Sequence, residues 1–423
     1  MILPVFSAYA MHLSGATHAM IGITLGVYGL TQAIFQIPFG MLSDHLGRKP
    51  IIFFGLVLLL IGSIMAAFSH SIYTLCFARA LQGSGAIGST VLALLSDLTR
   101  DESRSKAMAF MGLSIGFAFT LAMILGPTIN HYFYLSGIFA ATALLALIAM
   151  GLLLFIPTPP KPLKTSEKFT AKFASVLRNT QLLRLNAGIL FLHATLTALF
   201  IAVPILLTHQ MQLSGLHQIF LYLLVLVFAF IFALPFIIIA EKKRKMKMVF
   251  ISAIGTICSV QVLLALFYQH IAVTAFLLFI FFTAFTLLEA TLPSLVSKIA
   301  PIKNKGAAMG LYSTSQFFGI FVGGSLGGLI YTHAQLTGVF AFCALLAAIW
   351  FGIAITMKEP PYLSTLIFPI RTSTNQYQPL LALPGVAEIT INAEENLLYV
   401  KIDKEKIAEP VLRKIVEDSN LAS

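Results

Sequence analysis

Charged residues are scarce in this chain: of 423 residues, 10% are charged, 58% are apolar, and the mean hydropathy is +0.92. Soluble globular domains carry about 25% charged residues, so this composition cannot cover a water-facing surface. A soluble enzyme, a disordered protein and a nucleic-acid-binding protein are therefore excluded. Cysteine is also scarce, and Cys76, Cys258 and Cys343 all lie in apolar stretches. They indicate neither a disulfide framework nor a metal cluster, and no cofactor is predicted.

Long apolar runs are abundant and point to the lipid bilayer as the surroundings of most of the chain. A helix needs roughly 20 apolar residues to cross about 30 Å of hydrocarbon. Runs of that length cover residues 17–42, 50–69, 71–97, 106–130, 132–156, 184–209, 216–240, 248–268, 271–298, 306–331 and 335–357. A shorter apolar segment, Met1–Leu13, precedes them without a basic lead. We interpret it as the second half of a first helix whose beginning is absent from the sequence, in preference to a signal peptide.

The basic residues define the orientation of these spans. All Lys and Arg residues before residue 359, except Arg79, lie in every second loop, and the alternate loops contain none. Cytoplasmic loops carry the excess of Lys and Arg in membrane proteins, so the basic side is predicted to be cytoplasmic. This basic rim also accounts for the net charge of +11.

Two parts of the chain repeat each other in order. Pro38-Phe39, followed by an acid and a base, recurs as Pro235-Phe236, and Met111-Gly112-Leu113 recurs as Met309-Gly310-Leu311. We therefore expect two homologous halves joined by a linker rich in Pro and Lys, part of which reads as an amphipathic surface helix. The predicted domains are an N-terminal bundle (1–156), the cytoplasmic linker (157–183), a C-terminal bundle (184–358) and a cytoplasmic accessory domain (365–423).

A glycine-and-charge motif follows the first full span. Its residues are Gly40, Asp44, Gly47, Arg48 and Lys49. The motif resembles the loop signature between helices 2 and 3 of the major facilitator superfamily, with His45 where the usual form is basic. Residues 79–83 resemble the helix 4 motif of that superfamily, and Gly126-Pro127 resembles the motif of its drug–proton antiporter branch. The resemblance implies an all-α bacterial inner-membrane protein with two six-helix bundles around a cavity that opens alternately to either side.

The charges of this motif lie where two helices meet the cytoplasm. The resemblance implies a conformational latch that bridges the bundles while the cavity faces outward, with Asp97 as the partner of Arg48. The glycines Gly40 and Gly47 allow close backbone approach and a tight turn. The alternative is an ordinary charge pair at a helix end, which contributes about 0–1 kcal/mol when it is exposed to solvent.

Three ionisable residues, Arg79, His193 and Glu289, lie well inside predicted spans. Burying such a group at the bilayer centre costs about 2.5–3.5 kcal/mol on insertion scales, so a functional role is the default hypothesis. A carboxylate in a low-dielectric environment binds a proton more readily than it does in water. We therefore predict Glu289 as a proton carrier, His193 as its modulator and Arg79 as a charge that senses or relays that state. A structural polar contact between helices is the alternative for each.

Other intramembrane features have simpler interpretations. The segment 83–88 matches the spacing of a dinucleotide-binding fingerprint, but it lacks the strand that such a site requires. Close helix packing is the expected role of this segment and of the glycine-rich segment 323–328. Polar side chains at similar positions are candidates for lining the cavity: Tyr28, Gln36, Gln82, Tyr312 and Gln316.

The composition after residue 361 changes to that of a soluble domain. We predict a strand at 365–370, a helix at 373–383, strands at 387–392 and 398–402 joined by a turn at 394–396, and a helix at 405–418. This order resembles a small α+β, ferredoxin-like domain. It has no cysteine, so metal binding is not expected. It binds an unknown cytoplasmic partner or ligand, or it only stabilises the protein; the sequence leaves both open.

These features together predict a secondary transporter and not an enzyme. By resemblance, the expected function is proton-coupled efflux, by antiport, of an unidentified small molecule, with protons and the lipid bilayer as the other partners. Proton-coupled uptake by symport remains the near alternative. A membrane receptor or signalling protein is a further one, although the tail carries no output-domain signature.

Overall fold

The computed structural model describes residues 1–99, 101–158, 169–301, 305–359, 363–369, 375–392, 397–403 and 406–421. The helices of its membrane part are α1 (Phe6–Tyr9), α2 (His18–Leu46), α3 (Arg48–Ala67), α4 (Ile72–Ser84), α5 (Gly88–Asp97), α6 (Asp101–Phe155), α7 (Phe169–Arg178), α8 (Thr180–Ile205), α9 (Gly215–Lys242), α10 (Met246–Phe267), α11 (Ile271–Ile299) and α12 (Lys305–Ile355). A 3₁₀ turn (Ala10–His12) follows α1, and a π turn (Leu206–Gln210) ends α8.

Within the described residues, eight helices are long and apolar enough to cross a membrane. Two of them reverse direction. The backbone of α6 breaks at Tyr134 (φ 58°) and that of α12 at Gln335 (φ 50°), so each contributes two of the predicted spans. The predicted all-helical membrane fold is confirmed, and the linker contains the short helix α7 ahead of α8.

One predicted span is not a continuous helix. The run 71–97 is divided into α4 and α5, because residues 85–87 leave the helical path. Glycine is the least favourable helix residue after proline, and this stretch holds Gly83, Gly85 and Gly88. The carbonyl of Gly55 on α3 lies where a side chain at Gly85 would need to be, so the break accommodates a close approach of two helices.

The two bundles meet along a seam between α2 and the first half of α12. The Cα of Gly328 would lie 2.7 Å from a side-chain carbon at Gly22, and the carbonyl of Phe321 would lie 2.8 Å from one at Gly26. Only glycine permits such approach, which is the packing that small residues provide in membranes. The predicted packing role of segment 323–328 is confirmed. This seam joins the halves of both helices that lie away from the basic loops.

The start of α12, near the basic loops, shows no such close packing among the described residues. A methyl group added at Gly306 or Gly310 would meet no described atom within 4 Å. The described glycine contacts between the two bundles therefore lie towards the end away from the basic loops.

The tail forms a small α+β unit. Strands β1 (Leu363–Pro369), β2 (Val386–Asn392) and β3 (Leu397–Asp403) make an antiparallel sheet in the order β1-β3-β2, and helix α13 (Glu409–Leu421) follows. The segment Asn375–Ala382, where an α-helix was expected, is a 3₁₀ helix that contains Pro379. Proline lacks the N–H that an α-helix interior needs. The predicted turn at 394–396 lies outside the described residues.

Side chains of β3 attach the tail to the C-terminal bundle. Asp403 Oδ1 lies 2.8 Å from a guanidinium nitrogen of Arg244, at the turn between α9 and α10. Lys401 Nζ donates to the carbonyl of Ala300, 2.6 Å away at the end of α11, and pairs with Glu388 at 3.2 Å. Lys401 is 6% exposed, so its charge is satisfied by these contacts and not by water.

Candidate functional site

A cluster of charges lies at the basic end of the N-terminal bundle. This rim cluster consists of Ser43, Asp44, Arg48 and Asp97. The Arg48 guanidinium pairs with Asp44 and with Asp97, whose Oδ2 is 2.9 Å from Arg48 Nε, and it donates to Ser43 Oγ at 2.7 Å. The Arg48 side chain is 10% exposed. The cluster thus joins the ends of α2, α3 and α5 around a single, largely buried cation.

The turn between α2 and α3 places these side chains. Gly47 has φ 98°, a left-handed conformation that glycine adopts without strain, and α3 begins at the next residue. Arg48 and Lys49 therefore occupy the helix N-terminus, where the helix dipole disfavours cations. The carboxylates of the rim cluster offset this for Arg48, and Lys49 Nζ donates to the Ile156 carbonyl at 2.7 Å. Gly40 lies one turn earlier on α2, where its carbonyl accepts from Ser43 Oγ.

The rim cluster stays within one bundle. Every described ion pair and hydrogen bond of Asp44, Arg48 and Asp97 joins residues before 156. The predicted pairing of Arg48 with Asp97 is what the geometry shows, and it closes the N-terminal bundle at its own rim.

A second polar cluster lies inside the C-terminal bundle. This core cluster consists of His193 on α8, Glu289 on α11 and Gln316 on α12. His193 Nε2 is 3.9 Å from Glu289 Oε2. The Gln316 amide nitrogen lies between them, 2.9 Å from His193 Nε2 and 3.4 Å from Glu289 Oε1. The predicted juxtaposition of His193 and Glu289 is present, and three helices converge there.

Aromatic rings surround the core cluster. The Phe285 ring lies 6.0 Å from the His193 ring and stacks at 6.1 Å on Phe119 of α6, which belongs to the other bundle. Tyr312 lies near enough to Glu289 to interact with it electrostatically. Glu289 Oε2 and the Tyr312 hydroxyl are buried, and neither has a hydrogen-bond partner in the described part of the chain. The cluster therefore retains unused polar atoms that a proton or a solute can engage.

Arg79 lies in the N-terminal bundle. None of its described contacts involves a residue of the core cluster. Its guanidinium covers the Tyr28 ring, with 4.4 Å from Cζ to the centroid, and donates to Gln82 Oε1 at 2.8 Å. Gln82 in turn donates to Ser63 Oγ at 2.8 Å. The cation–π contact with Tyr28 and the hydrogen bond to Gln82 together fix the Arg79 side chain.

The two residues of the expected antiporter motif lie on α6. Gly126 packs directly against the carbonyl of Met1, and Pro4 lies 3.1 Å from the position of a Gly126 side-chain carbon. Pro127 stands inside the helix. The motif thus forms a packing surface for the first residues of the chain.

Sequence reasoning missed two features of these clusters. Ser43 was not singled out, although its position one residue before Asp44 placed it on the motif loop. Gln316 was named only as one of several cavity candidates. Its bridging position depends on the rotation of α12 about its axis, for which the apolar pattern of a lipid-embedded helix carries little signal.

Comparisons with known proteins identify the family. The model of the Major Facilitator Superfamily matches residues 1–324 and, in a second match, residues 185–369. The chain belongs to the major facilitator superfamily. It is a transporter and not an enzyme, and it is a multi-pass inner-membrane protein.

Similar proteins agree with this assignment. The chain is 46% identical over 414 residues to the inner membrane transport protein YajR of Escherichia coli (strain K12), covering 95% of this chain and 90% of that protein. It is 32% identical over 145 residues to a class H tetracycline resistance protein of Pasteurella multocida, covering 34% and 36% of the two chains. The structure of a bacterial homologue of the human lysosomal transporter Spinster, inward-facing and unoccupied, superposes with a TM-score of 0.68 at 13% identity, covering 84% of this chain and 93% of that chain.

Proposed function

We propose that this protein is a proton-coupled efflux antiporter that works by alternating access. The observation that carries the proposal is the core cluster, in which a carboxylate inside the membrane contacts an imidazole and retains a buried oxygen without a described partner. An intramembrane acid of this kind is typical of a proton pathway. The partial likeness to a tetracycline resistance protein supports export.

In this proposal Glu289 binds a proton while the outer end of the cavity is open and releases it to the cytoplasm from the inward-facing conformation. The released form is the carboxylate, which can then engage a solute taken from the cytoplasm. One proton enters the cell each time the solute-free site returns to face the cytoplasm, and the solute leaves the cell in the opposite direction. His193 modulates this step because its ring nitrogen faces the carboxylate.

The rim cluster has a different proposed part. Asp44, Arg48 and Asp97 act as a latch whose partners change when the bundles rock, so their contribution differs between the two conformations. The described pairs stay within the N-terminal bundle, which leaves the rim of the C-terminal bundle free to move away. Gly40, Gly47 and Lys49 hold the latch loop in place.

Arg79 is proposed as a fixed cation that senses the charge state of the cavity. It lies in the bundle opposite Glu289, and its guanidinium is held by Tyr28 and Gln82. Gly126 and Pro127 on α6 support the antiporter direction only through their likeness to a motif.

Purified protein in liposomes with an imposed pH gradient tests the proposal, with tetracycline as the first solute of a panel. Antiport moves solute against the direction of proton flow, whereas symport moves both in the same direction. Antiport is expected to require Glu289, whereas the exposed Glu359 offers a matched Glu→Gln control. Solute movement that ignores the pH gradient would overturn proton coupling, and movement with the protons would replace antiport by symport.

A further inference from the structure

We infer that Gln316 is a positioning residue that transmits the protonation state of Glu289 to the seam between the two bundles. The inference rests on the proposed function, because it assumes that Glu289 exchanges a proton during transport. In this inference, the Gln316 amide links the proton site at Glu289 to the conformational change.

The first observation is that one amide nitrogen serves both members of the acid–imidazole pair. Gln316 Nε2 lies 2.9 Å from His193 Nε2 and 3.4 Å from Glu289 Oε1. A primary amide carries two N–H donors on that nitrogen. One can be donated to an unprotonated ring nitrogen of His193 while the other is donated to an ionised Glu289.

Protonation of Glu289 weakens the match between these groups. The protonated carboxyl gains an O–H donor but keeps an acceptor oxygen, so the charge-assisted hydrogen bond from Gln316 becomes a weaker bond to a neutral group. The arriving proton therefore loosens the contact between Gln316 and Glu289. The titratable groups that described contacts place at Glu289 are His193 on α8 and Tyr312 on α12, and neither supplies a second fixed donor in place of the amide.

The second observation concerns the helix that carries Gln316. The carbonyl of the next residue, Phe317, lies where a side chain at Gly29 of α2 would need to be. Two residues after Phe317, the backbone of Leu190 on α8 occupies the corresponding space at Gly319. Helix α12 is therefore in backbone contact with α8 of its own bundle and with α2 of the other bundle within the turn that follows Gln316.

Close packing makes this arrangement a connection between proton site and seam. Protein interiors at this density transmit small displacements instead of absorbing them. At Gly29 of α2, the Phe317 carbonyl and the Ile320 side chain of α12 pack directly against the backbone, so a shift of α12 that follows the loosening of the Gln316 contact changes the fit of the seam. A purely structural amide would hold the three helices together equally well at every pH.

The test measures the outer end of the full-length protein in lipid. Spin labels replace His12 and His333, which are exposed at the outer end of opposite bundles, in a background without Cys76, Cys258 and Cys343. Distances are recorded between about pH 8 and about pH 5. The compared variants are Gln316→Met, Gln316→Asn, Glu289→Gln and the control Gln261→Met. Gln261 is also a buried glutamine of the C-terminal bundle, and its amide has no hydrogen-bond partner among the described residues.

In the background protein and in Gln261→Met, we expect the ratio of closed to open outer ends to change roughly tenfold over this range, the size of one hydrogen bond to a charged group. Gln316→Met should remove most of that pH-dependent change in the ratio while the protein stays folded. Gln316→Asn, which keeps the donors but is too short to reach both partners, should leave a reduced response.

The outcomes separate this inference from the proposed function. A full pH response in Gln316→Met, together with its loss in Glu289→Gln, overturns the role of Gln316 and leaves Glu289 as the proton site. A full response in Glu289→Gln overturns the proton site and the inference together. A background protein without any pH response also overturns both. If Gln316→Met does not fold, a full response in Gln316→Asn overturns the inference.

Discussion

The rim cluster and the core cluster place ionisable groups in different surroundings. At the rim, Arg48 meets two carboxylates, of which Asp44 is 50% exposed and Asp97 27% exposed. In the core, the Glu289 side chain is 36% exposed, and its described neighbours within the C-terminal bundle are His193, Gln316 and Tyr312. The rim acids lie beside a guanidinium, whereas the core acid has no Lys or Arg at hydrogen-bond distance among the described residues. The rim cluster is therefore suited to setting the equilibrium between two conformations, and the core cluster is suited to exchanging a proton.

The largest effect is expected from removing the core acid. Glu289→Gln keeps the shape of the side chain but cannot release a proton, so gradient-driven solute accumulation in liposomes should fall to the level of liposomes without protein. Thermal unfolding should stay near that of the unmodified chain. The control Glu359→Gln, an exposed acid after the last span, should transport normally. Solute accumulation by Glu289→Gln at the rate of the unmodified chain would show that Glu289 is not the proton site.

A large effect that involves neither cluster is expected at the seam. In Gly328→Leu the new side chain meets the backbone of Gly22, and overpacking of this kind costs about 1–3 kcal/mol. The ratio of closed to open outer ends, measured by spin-label distances, should fall by roughly tenfold or more. Gly352→Leu is the matched control, because a side chain there meets no atom within 4 Å. Equal behaviour of the two variants would show that the seam does not hold the outer end closed.

A smaller effect is expected from the rim, and it should differ between its two acids. Asp97→Asn removes the less exposed partner of Arg48 and should slow transport by roughly three- to tenfold, since a hydrogen bond contributes about 0.5–1.5 kcal/mol net. Asp44→Asn removes the more exposed partner and should slow it less, because exposed ion pairs contribute about 0–1 kcal/mol. Initial rates at equal protein density measure both. Unchanged transport in both variants would reduce the latch to an ordinary charge pair.

The smallest effect is expected where the tail meets the C-terminal bundle. Asp403→Asn weakens the contact with Arg244, and protease cleavage between membrane part and tail should become roughly two- to fivefold faster, in line with a partly exposed ion pair. Transport should change little. Glu409→Gln alters a different acid of the tail, one paired within α13 to Arg413, and should leave cleavage unchanged. A tail that is released equally in both variants would show that β3 does not anchor it.

The sequence predicted those parts of the fold that hydrocarbon dictates. Backbone groups in a bilayer must bond within their own segment, so the apolar runs of sufficient length other than 71–97 became continuous helical spans, and similar depth was enough to bring His193 near Glu289. The break between α4 and α5 was missed, because glycine lowers helix propensity in many helices that nevertheless continue. The bridge by Gln316 was missed because it depends on helix rotation.

The most direct test of the difference between the clusters is the outer-end distance as a function of pH in two variants, Glu289→Gln and Asp97→Asn, with spin labels at His12 and His333. The account predicts that Glu289→Gln abolishes the pH response, whereas Asp97→Asn shifts the ratio of closed to open molecules at every pH and keeps the response. A pH response that survives in Glu289→Gln, or disappears in Asp97→Asn, would contradict it.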